Sequence, residues 1–363
     1  MSENSKTLMF YINSLESGGA ERVIAQLSGA FSQAGYRCIL VTSYTGAVEY
    51  PVSDGVERIC IENEKTEDGR LKKNLRRIRA LRGYIRKYKP DALISFMAEP
   101  NFRAIVAAMG LPVKTIVSVR NDPDREYAGR LGNLVGKRLM PRADGCVFQT
   151  EQARAWFDKG LQERSEIIMN QVSRSFFETE FHGERHYVVT AGRLNAQKNH
   201  AMLIRAFSRI ADKTDENLRI YGAGDKKEEL EKLIDELGMR SRIELMGLSQ
   251  NVAESIKGAR LFVLPSDYEG MPNALLEAMA LSLPCISTAC PCGGPEAIIR
   301  DGENGLLIPV GDEDALCEAM LRVLGDAHFA QKLSENARLT AEEFRPEKVF
   351  EKWRGYVERV ISR

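Results

Sequence analysis

Short apolar runs alternate along this chain with longer stretches in which apolar residues recur every three or four positions. The runs predict buried β-strands, and the longer stretches predict amphipathic helices. Such an alternation is typical of parallel α/β architecture, and its clustering predicts two doubly wound sheets. The predicted strands are residues 8–12, 37–42, 92–96, 115–119 and 145–149 in the first half and 187–191, 218–221, 243–246, 261–264 and 285–288 in the second.

The length and composition of the chain fit two globular domains. It has 363 residues, of which 44% are hydrophobic and 28% are charged, and its formal net charge is zero. Chains of this length usually form two domains, each with its own core. We expect an N-terminal domain over residues 1–180, a C-terminal domain over 187–345 and a last helix over 346–363. The polar, aperiodic segment 173–186 is the expected linker.

The sequence predicts neither export nor a membrane span. Its polar start differs from a signal peptide, and no apolar run reaches the roughly 18 residues of a spanning helix. The seven cysteines include no Cys-x-x-Cys pair, and most lie in apolar segments, where a thiol behaves as a small hydrophobe. We therefore expect a cytoplasmic protein in a reducing compartment.

The segment from Leu264 to Ala280 carries the strongest chemical signal. A polar turn follows the apolar run, and a helix is predicted to begin near Pro272, because proline in the first turn lacks only an N–H that would stay unpaired. The N–H groups at such a helix start favour anions such as phosphate. Glu269 precedes the helix, and Glu277 lies about one turn inside it. Carboxylates accept hydrogen bonds from sugar hydroxyls, so the segment suits a nucleotide sugar.

A second loop supplies cations. Gly192 directly follows the strand predicted at residues 187–191, and Arg193 and Lys198 come next. Arginine offers a planar fork for phosphate oxygens, and lysine offers a point charge. The sequence therefore predicts that this loop binds phosphate groups.

Glycines also follow three other predicted strands, where ligands approach the carboxyl ends of a parallel sheet. A dinucleotide fingerprint would need a third glycine after the second of these strands, but Lys227 stands there. This mismatch argues against a cofactor-dependent oxidoreductase, and we expect nucleotide contacts made mostly by backbone. The glycines concerned are Gly18 and Gly19 after residues 8–12, Gly222 after 218–221, and Gly247, with Leu248, after 243–246.

The pattern Glu-x7-Glu, with Gly-x-Pro-Asn between its acidic residues, resembles the signature of retaining glycosyltransferases of family 4. That family has the GT-B architecture, so the resemblance implies two Rossmann-like domains facing an interdomain cleft, with the last helix crossing back to the first domain. It also implies that Glu269, Arg193 and Lys198 are catalytic. The residues that it implies for donor binding are Gly18, Gly19, Gly192, Gly222, Gly247, Leu248, Gly270, Met271, Pro272, Asn273, Ala274 and Glu277.

One position in the first domain departs from the family pattern. Many members carry a His after the strand at residues 115–119, and this chain has Arg120. A mechanism that depends on this His does not transfer, and our hypothesis is that Arg120 binds the pyrophosphate of the acceptor while Asp122 accepts a proton from its hydroxyl. Asp122, Pro123 and Asp124 also spell the acidic motif of metal-dependent transferases, which belongs to another architecture. We expect no metal and no cofactor.

The segment from Leu71 to Tyr88 predicts a basic amphipathic helix. Its apolar residues recur at helical spacing, and eight of its residues are Lys or Arg with no acidic residue among them. We expect the apolar stripe to pack on the sheet and the basic face to meet an anionic membrane surface or a polyprenyl diphosphate, with Arg76 and Arg77 contacting the acceptor. Nucleic acid is not expected, because no nucleic-acid-binding module accompanies the patch.

Together these observations predict a cytoplasmic glycosyltransferase that associates peripherally with the inner face of the cell membrane. It would move a sugar from a UDP-sugar (UDP-GalNAc, UDP-GlcNAc, UDP-Gal or UDP-Glc) to a hydroxyl of a lipid-linked or polysaccharide glycan. The glycine-rich opening and the basic helix look like those of bacterial N-acetylgalactosamine-type transferases of lipid-linked oligosaccharide or capsular polysaccharide assembly. The alternatives are a nucleotide-sugar epimerase of the same architecture and a non-catalytic glycan-assembly subunit.

Overall fold

A computed structural model describes residues 6–16, 18–62 and 69–363. Strands and helices alternate through this part of the chain. The strands are β1 (Thr7–Ile12), β2 (Arg37–Tyr44), β3 (Val56–Glu62), β4 (Ala92–Phe96), β5 (Lys114–Ser118), β6 (Gly145–Phe148), β7 (Ser165–Ile167), β8 (His186–Ala191), β9 (Leu218–Tyr221), β10 (Ile243–Gly247), β11 (Ala259–Leu264), β12 (Cys285–Thr288) and β13 (Leu306–Ile308). The α-helices are α1 (Gly19–Gln33), α2 (Arg70–Tyr88), α3 (Ala98–Ala108), α4 (Pro123–Glu126), α5 (Gly129–Arg138), α6 (Glu151–Ala155), α7 (Lys159–Glu163), α8 (Arg174–Glu178), α9 (His200–Ile210), α10 (Lys227–Glu236), α11 (Val252–Ile256), α12 (Asn273–Ala280), α13 (Gly294–Ile298), α14 (Glu313–Gly325), α15 (Ala327–Ala341) and α16 (Pro346–Ile361).

The described strands form two parallel sheets. The first has seven strands in the order β3-β2-β1-β4-β5-β6-β7, and the second has six in the order β10-β9-β8-β11-β12-β13. In each sheet the order reverses beside the first strand of that sheet, β1 or β8, which is the doubly wound pattern. The prediction of two doubly wound parallel sheets is therefore confirmed.

All ten predicted strands are present, and their ends shift by at most two residues. Three described strands were not predicted, namely β3, β7 and β13, and each lies at the edge of its sheet. An edge strand has a neighbour on one side only, so its residues need not form a continuous apolar run. In β3 every residue after Val56 is at least partly exposed, and the other two strands are only three residues long.

The chain divides into two compact units. The first unit contains Met1–Asn170 and Val349–Arg363, and the second contains Gln171–Lys348. Helix α16 belongs to the core of the first unit, where the Trp353 ring stacks on Phe96 with ring centroids 5.7 Å apart. The Tyr356 hydroxyl accepts a hydrogen bond from the Cys146 N–H at 2.7 Å. The last helix is thus tied to β4 and β6 of the first sheet.

The first unit ends earlier than residue 180, the predicted boundary. Helix α8, inside the predicted linker, belongs to the second unit, and its Phe176 and Phe177 are buried. Arg338 donates a hydrogen bond to the Phe177 carbonyl at 3.0 Å, and its guanidinium lies 5.0 Å from the centre of the Phe177 ring. Two buried aromatic side chains therefore anchor a segment whose polar composition suggested a linker.

Helix α2 has nearly its predicted bounds, but its apolar stripe packs over one half only. Leu81 and Ile85 are buried in a cluster that includes Ala104 of α3, whereas Leu71 is 88% exposed and Leu75 is 47% exposed. The expectation that the whole stripe packs against the protein is wrong for its first half. The first half of α2 contacts α3 through polar side chains instead, Arg70 with Glu99 at 2.6 Å and Asn74 with Arg103 at 2.8 Å.

The helices and cysteines of the described residues have two further properties. None of these helices is both long enough and apolar enough to cross a membrane. The seven cysteines are free thiols, and six of them are buried. Burial raises the pKa of Cys38 and of Cys290 to about 12, so both stay protonated at neutral pH.

Candidate functional site

Glycine loops pack on one another at the carboxyl edge of the second sheet. The Gly192 N–H donates to the Tyr221 carbonyl at 2.9 Å, and the Gly222 N–H donates to the Gly247 carbonyl at 2.8 Å. Gly222 has a φ of +150°, and a Cβ at this position would overlap the Gly192 carbonyl oxygen. Glycine is therefore required there, and the three loops after β8, β9 and β10 form one continuous backbone surface.

Two asparagines fix the cationic loop that follows Gly192. The Asn195 side chain accepts a hydrogen bond from the Lys198 N–H at 3.2 Å, and the Asn199 side chain accepts one from the Met202 N–H at 3.3 Å. Asn199 itself has a left-handed backbone with φ 42°, a conformation that asparagine tolerates well. The backbone is thus held on both sides of Lys198, whose side chain is 14% exposed.

Lys198 and Glu269 contact each other although they are 71 residues apart in the sequence. The Lys198 Nζ lies 2.5 Å from the Glu269 Oε1, and the same oxygen accepts a hydrogen bond from the Ser266 hydroxyl at 2.7 Å. The other carboxylate oxygen, Oε2, lies 3.5 Å from the Gln197 Nε2. Glu269 is 6% exposed, so this is a largely buried ion pair.

Amide side chains that the sequence analysis did not single out join the cationic loop to the Glu269 turn. The Gln197 Nε2 donates to the Tyr268 carbonyl at 2.9 Å, and the Asp267 N–H donates to the Gln197 carbonyl at 2.9 Å. The Asn199 Nδ2 donates to the Asp267 Oδ1 at 2.8 Å. The only sequence signal for these contacts was a run of amide residues around Lys198, and their partners depend on the tertiary fold.

Backbone contacts hold the turn that carries Glu269. The Glu269 N–H donates to the Pro291 carbonyl at 2.7 Å, and the Cys292 N–H donates to the Glu269 carbonyl at 3.0 Å. Gly294 packs on the Gly270 carbonyl so closely that a Cβ would overlap it. The loop after β12 therefore holds the turn in place through its backbone. The sequence analysis had assigned no such role to Gly294.

Helix α12 begins directly after this turn, at Asn273, with Pro272 as its N-cap residue. Among the described residues, no side chain caps this helix start, and the helix dipole makes it attractive to an anion. Ala274 lies in the first turn, and Met271 and Glu277 are each 6% exposed. The predicted residues of this segment thus lie on one turn and the helix that follows it.

The other two predicted residues of this edge are exposed. Arg193 lies on the same loop as Lys198, and its guanidinium forms no ion pair with any residue that the structure describes. Leu248 follows Gly247 and is 80% exposed. Arg193 therefore keeps its positive charge available to a ligand, in contrast to Lys198.

His200, the first residue of α9, is buried behind the cationic loop. It is 2% exposed, and its ring nitrogens form no well-aligned hydrogen bond with a described residue, although backbone groups of Gly192 and Arg193 lie near the imidazole. Burial, aided by the nearby charge of Lys198, lowers the pKa of His200 to about 4. The imidazole is therefore neutral at pH 7, and the sequence analysis had given it no role.

In the first unit, Gly18 and Gly19 form the start of α1. Gly18 is the N-cap residue with an extended backbone, and its carbonyl accepts a hydrogen bond from the Arg22 N–H at 3.1 Å. A Cβ on Gly18 would overlap the Glu21 carboxylate. Because this carboxylate ends a flexible side chain, it can move aside, and local packing alone does not require glycine here.

The Arg120 guanidinium lies inside the first unit. It is 3.9 Å from the centre of the Phe96 ring and 5.6 Å from that of Trp353, and its Nη1 donates to the Asn170 Oδ1 at 2.8 Å. Burial lowers the pKa of Arg120 to about 9, so the group still carries its charge at pH 7. A pyrophosphate would reach this guanidinium only if the surrounding side chains moved.

The other predicted acceptor residues also have partners in the first unit, and the structure does not gather them into one site. The Asp122 side chain accepts a hydrogen bond from the Asp124 N–H at 3.0 Å. Arg76 and Arg77 both bind Glu62 at the end of β3, at 2.5 and 2.6 Å. Strands β3 and β5 are four positions apart in the sheet, or roughly 20 Å at about 4.8 Å per strand.

Comparisons with known proteins agree with this geometry. Residues 17–176 match the family model described as Glycosyltransferase Family 4, and residues 171–340 match that described as Glycosyl transferases group 1. The chain is 25% identical over 353 residues to a Campylobacter jejuni protein named GalNAc-alpha-(1->4)-GalNAc-alpha-(1->3)-diNAcBac-PP-undecaprenol alpha-1,4-N-acetyl-D-galactosaminyltransferase, covering 95% of this chain and 96% of the relative. It is 27% identical over 362 residues to a second C. jejuni protein, N-acetylgalactosamine-N,N'-diacetylbacillosaminyl-diphospho-undecaprenol 4-alpha-N-acetylgalactosaminyltransferase, covering 93% and 95%.

Solved structures show the same fold at lower identity. Sucrose-phosphate synthase from Thermosynechococcus elongatus superposes with a TM-score of 0.84 at 19% identity, covering 98% of this chain and 99% of that one. Anabaena HepE in complex with UDP superposes with a TM-score of 0.81 at 16% identity, covering 98% and 100%. With its two halves matched by the two family models and its two parallel-sheet units, the chain belongs to the glycosyltransferases of family 4, with the GT-B fold.

Proposed function

We propose that this enzyme transfers a sugar from a UDP-sugar to a hydroxyl of a lipid-linked or polysaccharide glycan, with retention of anomeric configuration. The contact between Lys198 and Glu269 carries the proposal, because it puts a cation suited to phosphate beside a buried carboxylate suited to sugar hydroxyls. The relatives named as transferases of undecaprenol-linked glycans support the acceptor class. The UDP in the HepE complex supports the nucleotide.

In the proposed reaction the second unit binds the donor. Arg193 and Lys198 stabilise the charge that develops on the departing diphosphate, together with the start of α12. Glu269 fixes hydroxyls of the transferred sugar, Glu277 holds the ribose, and the glycine loops contact the base through their backbone. The acceptor attacks on the face that the nucleotide leaves, and the reaction needs no metal.

A nucleotide-release assay tests the donor site. UDP-sugars are screened with a lipid-linked acceptor extract, and the active donor is then used with variants. Glu269→Ala and Lys198→Ala are each expected to lower kcat about 100-fold or more, the effect of losing a preorganised polar group in the transition state. Glu254→Ala is the control, because it removes an exposed carboxylate that pairs with Lys257 at 2.7 Å.

The outcomes separate the alternatives. Near-normal turnover in both site variants, with an unchanged circular dichroism spectrum, would reject the site. An inverted anomeric configuration in the product, determined by NMR, would reject retention. Conversion of the donor without any acceptor would instead identify a nucleotide-sugar epimerase, and a fully inactive wild type would favour a non-catalytic subunit.

We further propose that one exposed face of α2, from Leu71 to Arg86, attaches the enzyme to an anionic membrane surface. At about 100° per residue, Leu71, Leu75, Arg79 and Arg86 fall within an arc of about 80° on the helix, and all four are exposed. Exposed leucines beside exposed cations are typical of helices that lie in the membrane interface. Arg82 is not part of this surface, because it donates to the Ala107 and Met109 carbonyls at 2.8 and 2.7 Å.

Vesicle sedimentation tests this attachment. The double variant Arg79→Glu, Arg86→Glu should bind phosphatidylglycerol vesicles about 30-fold more weakly at low salt, since each cation near an anionic surface contributes about 1 kcal/mol. Turnover on a short soluble acceptor should be unchanged. The control is Lys232→Glu, Arg240→Glu, with the same charge change on exposed positions of the second unit. Equal binding by both double variants would contradict the role of α2.

A further inference from the structure

The groups assigned to the phosphate and to the sugar are bound to each other. Lys198 Nζ lies 2.5 Å from Glu269 Oε1, so each group neutralises the charge that the other would offer to a donor. Resting on the donor site proposed above, we propose that this ion pair is exchanged during binding. The diphosphate takes Lys198 from Glu269, and the sugar hydroxyls then replace Lys198 as the partners of Glu269.

The burial of the pair makes the exchange selective for the intact donor. Glu269 is 6% exposed, and a carboxylate that loses its cation in such a place is strongly destabilised unless new hydrogen bonds form. A nucleotide sugar supplies hydroxyls for this purpose. Free UDP lacks the transferred sugar, and its ribose hydroxyls are assigned to Glu277, so it must draw Lys198 away while Glu269 keeps its contacts to Ser266 and Gln197.

The surrounding hydrogen bonds keep the Glu269 carboxylate in its buried position, so it cannot avoid the cost of losing its cation by moving into solvent. Ser266 is fully buried and holds the Oε1 atom at 2.7 Å. Gln197 joins the cationic loop to the turn through the Tyr268 carbonyl at 2.9 Å. The carboxylate therefore keeps its position after Lys198 has moved to the diphosphate. After transfer the sugar is gone, Lys198 returns to Glu269, and the ion pair helps to expel the nucleotide product.

A charge-neutral variant tests the exchange, because it should strengthen UDP binding while it weakens catalysis. Glu269→Gln weakens the hold on Lys198, so we expect it to bind UDP about fivefold more tightly than the wild type in isothermal titration calorimetry while turnover falls. Inorganic pyrophosphate should show the same gain, since it shares only the phosphates. If the Gln variant does not fold, Glu269→Ala is measured instead and should shift affinity in the same direction.

Glu254→Gln is the matched control. It makes the same substitution in another Lys–Glu pair of the second unit, in which Lys257 lies 2.7 Å away, and Glu254 is not one of the residues assigned to the donor. UDP affinity should therefore stay within about twofold of the wild type. Unchanged or weaker UDP binding by the Glu269 variants would overturn the exchange, and so would an equal gain in Glu254→Gln, which would show a general charge effect. Failure of the wild type to bind either UDP or pyrophosphate would instead reject the donor site itself.

Discussion

Lowering the pH from 7.5 to 5 is expected to destabilise the second unit through His200. The imidazole is buried, its ring nitrogens form no well-aligned hydrogen bond with a described residue, and its pKa is lowered to about 4. In the unfolded chain the pKa is about 6.5. The unfolded state therefore binds a proton at pH values where the folded state does not. The stability contributed by the neutral imidazole is complete above the unfolded pKa and is lost as the pH falls towards 4.

The size of the loss follows from the two pKa values. One pKa unit corresponds to about 1.4 kcal/mol, so the full loss below pH 4 is about 3 kcal/mol. At pH 5 most of the unfolded imidazole is protonated and little of the folded one is, which gives about 2 kcal/mol. A typical domain has a free energy of unfolding of about 5–15 kcal/mol, so this single group would remove a measurable part of it.

Urea titrations at pH 7.5 and pH 5 measure this effect. The two tryptophans, Trp156 and Trp353, both belong to the first unit, so fluorescence follows that unit alone. Far-UV circular dichroism follows both units, and a transition seen only by circular dichroism reports the second. Between the two pH values, the free energy of unfolding of His200→Gln should fall by about 2 kcal/mol less than that of the wild type.

The matched control is His182→Gln, which removes an imidazole that is 85% exposed. It should keep the pH sensitivity of the wild type, because it leaves the buried His200 in place. If His200→Gln and the wild type lost the same stability on acidification, His200 would not be the source, and the reasoning from its burial would be refuted.

Ser266→Ala removes the hydroxyl 2.7 Å from Glu269 Oε1. Because a hydrogen bond to a charged group contributes about 1.5–3 kcal/mol, kcat/KM for the donor should fall about 10- to 100-fold. An unchanged kcat/KM would show that Ser266 does not position Glu269. Burial raises the pKa of Glu126 to about 7 from its ordinary 4.5, so the stability from its protonated form is complete below pH 4.5 and is lost as the pH rises through 7. The free energy of unfolding of the first unit, measured by fluorescence-monitored urea titrations, should therefore fall less between pH 5 and 8 in Glu126→Gln than in the wild type. An equal decrease in both proteins would contradict this assignment.

The sequence was sufficient for the parts of the fold that repeat a strong local pattern. The central strands, such as β8 and β11, are buried on both faces and appear as apolar runs, whereas the edge strand β3 has no such run. Lys198 and Glu269 were both identified because each follows a central strand, and the carboxyl ends of parallel strands lie at one edge of the sheet. Their direct contact needed coordinates, since it depends on amide bonds such as that of Gln197 to a turn far along the chain.

Arg120 shows why a residue type alone did not predict its surroundings. A cation after a central strand suggested an accessible ligand for phosphate, but whether such a side chain points outwards depends on what covers it. Here Trp353, more than two hundred residues later in the chain, covers it. In the same way, the spacing of Leu71 and Leu75 predicted a packed apolar face, whereas this half of α2 contacts α3 through Arg70 and Asn74 instead.

The position of α16 has a consequence for biosynthesis. Phe96 leaves the ribosome long before Trp353, the side chain that stacks on it, because Gln171–Lys348 must be translated in between. At about 5–20 residues per second this takes roughly ten to forty seconds. During that interval the nascent N-terminal sheet displays an apolar surface to chaperones, and at its end the second unit has all of its segments while the first still lacks residues 349–363. In the cell, the second unit should therefore complete its fold before the first unit, although the first is translated earlier.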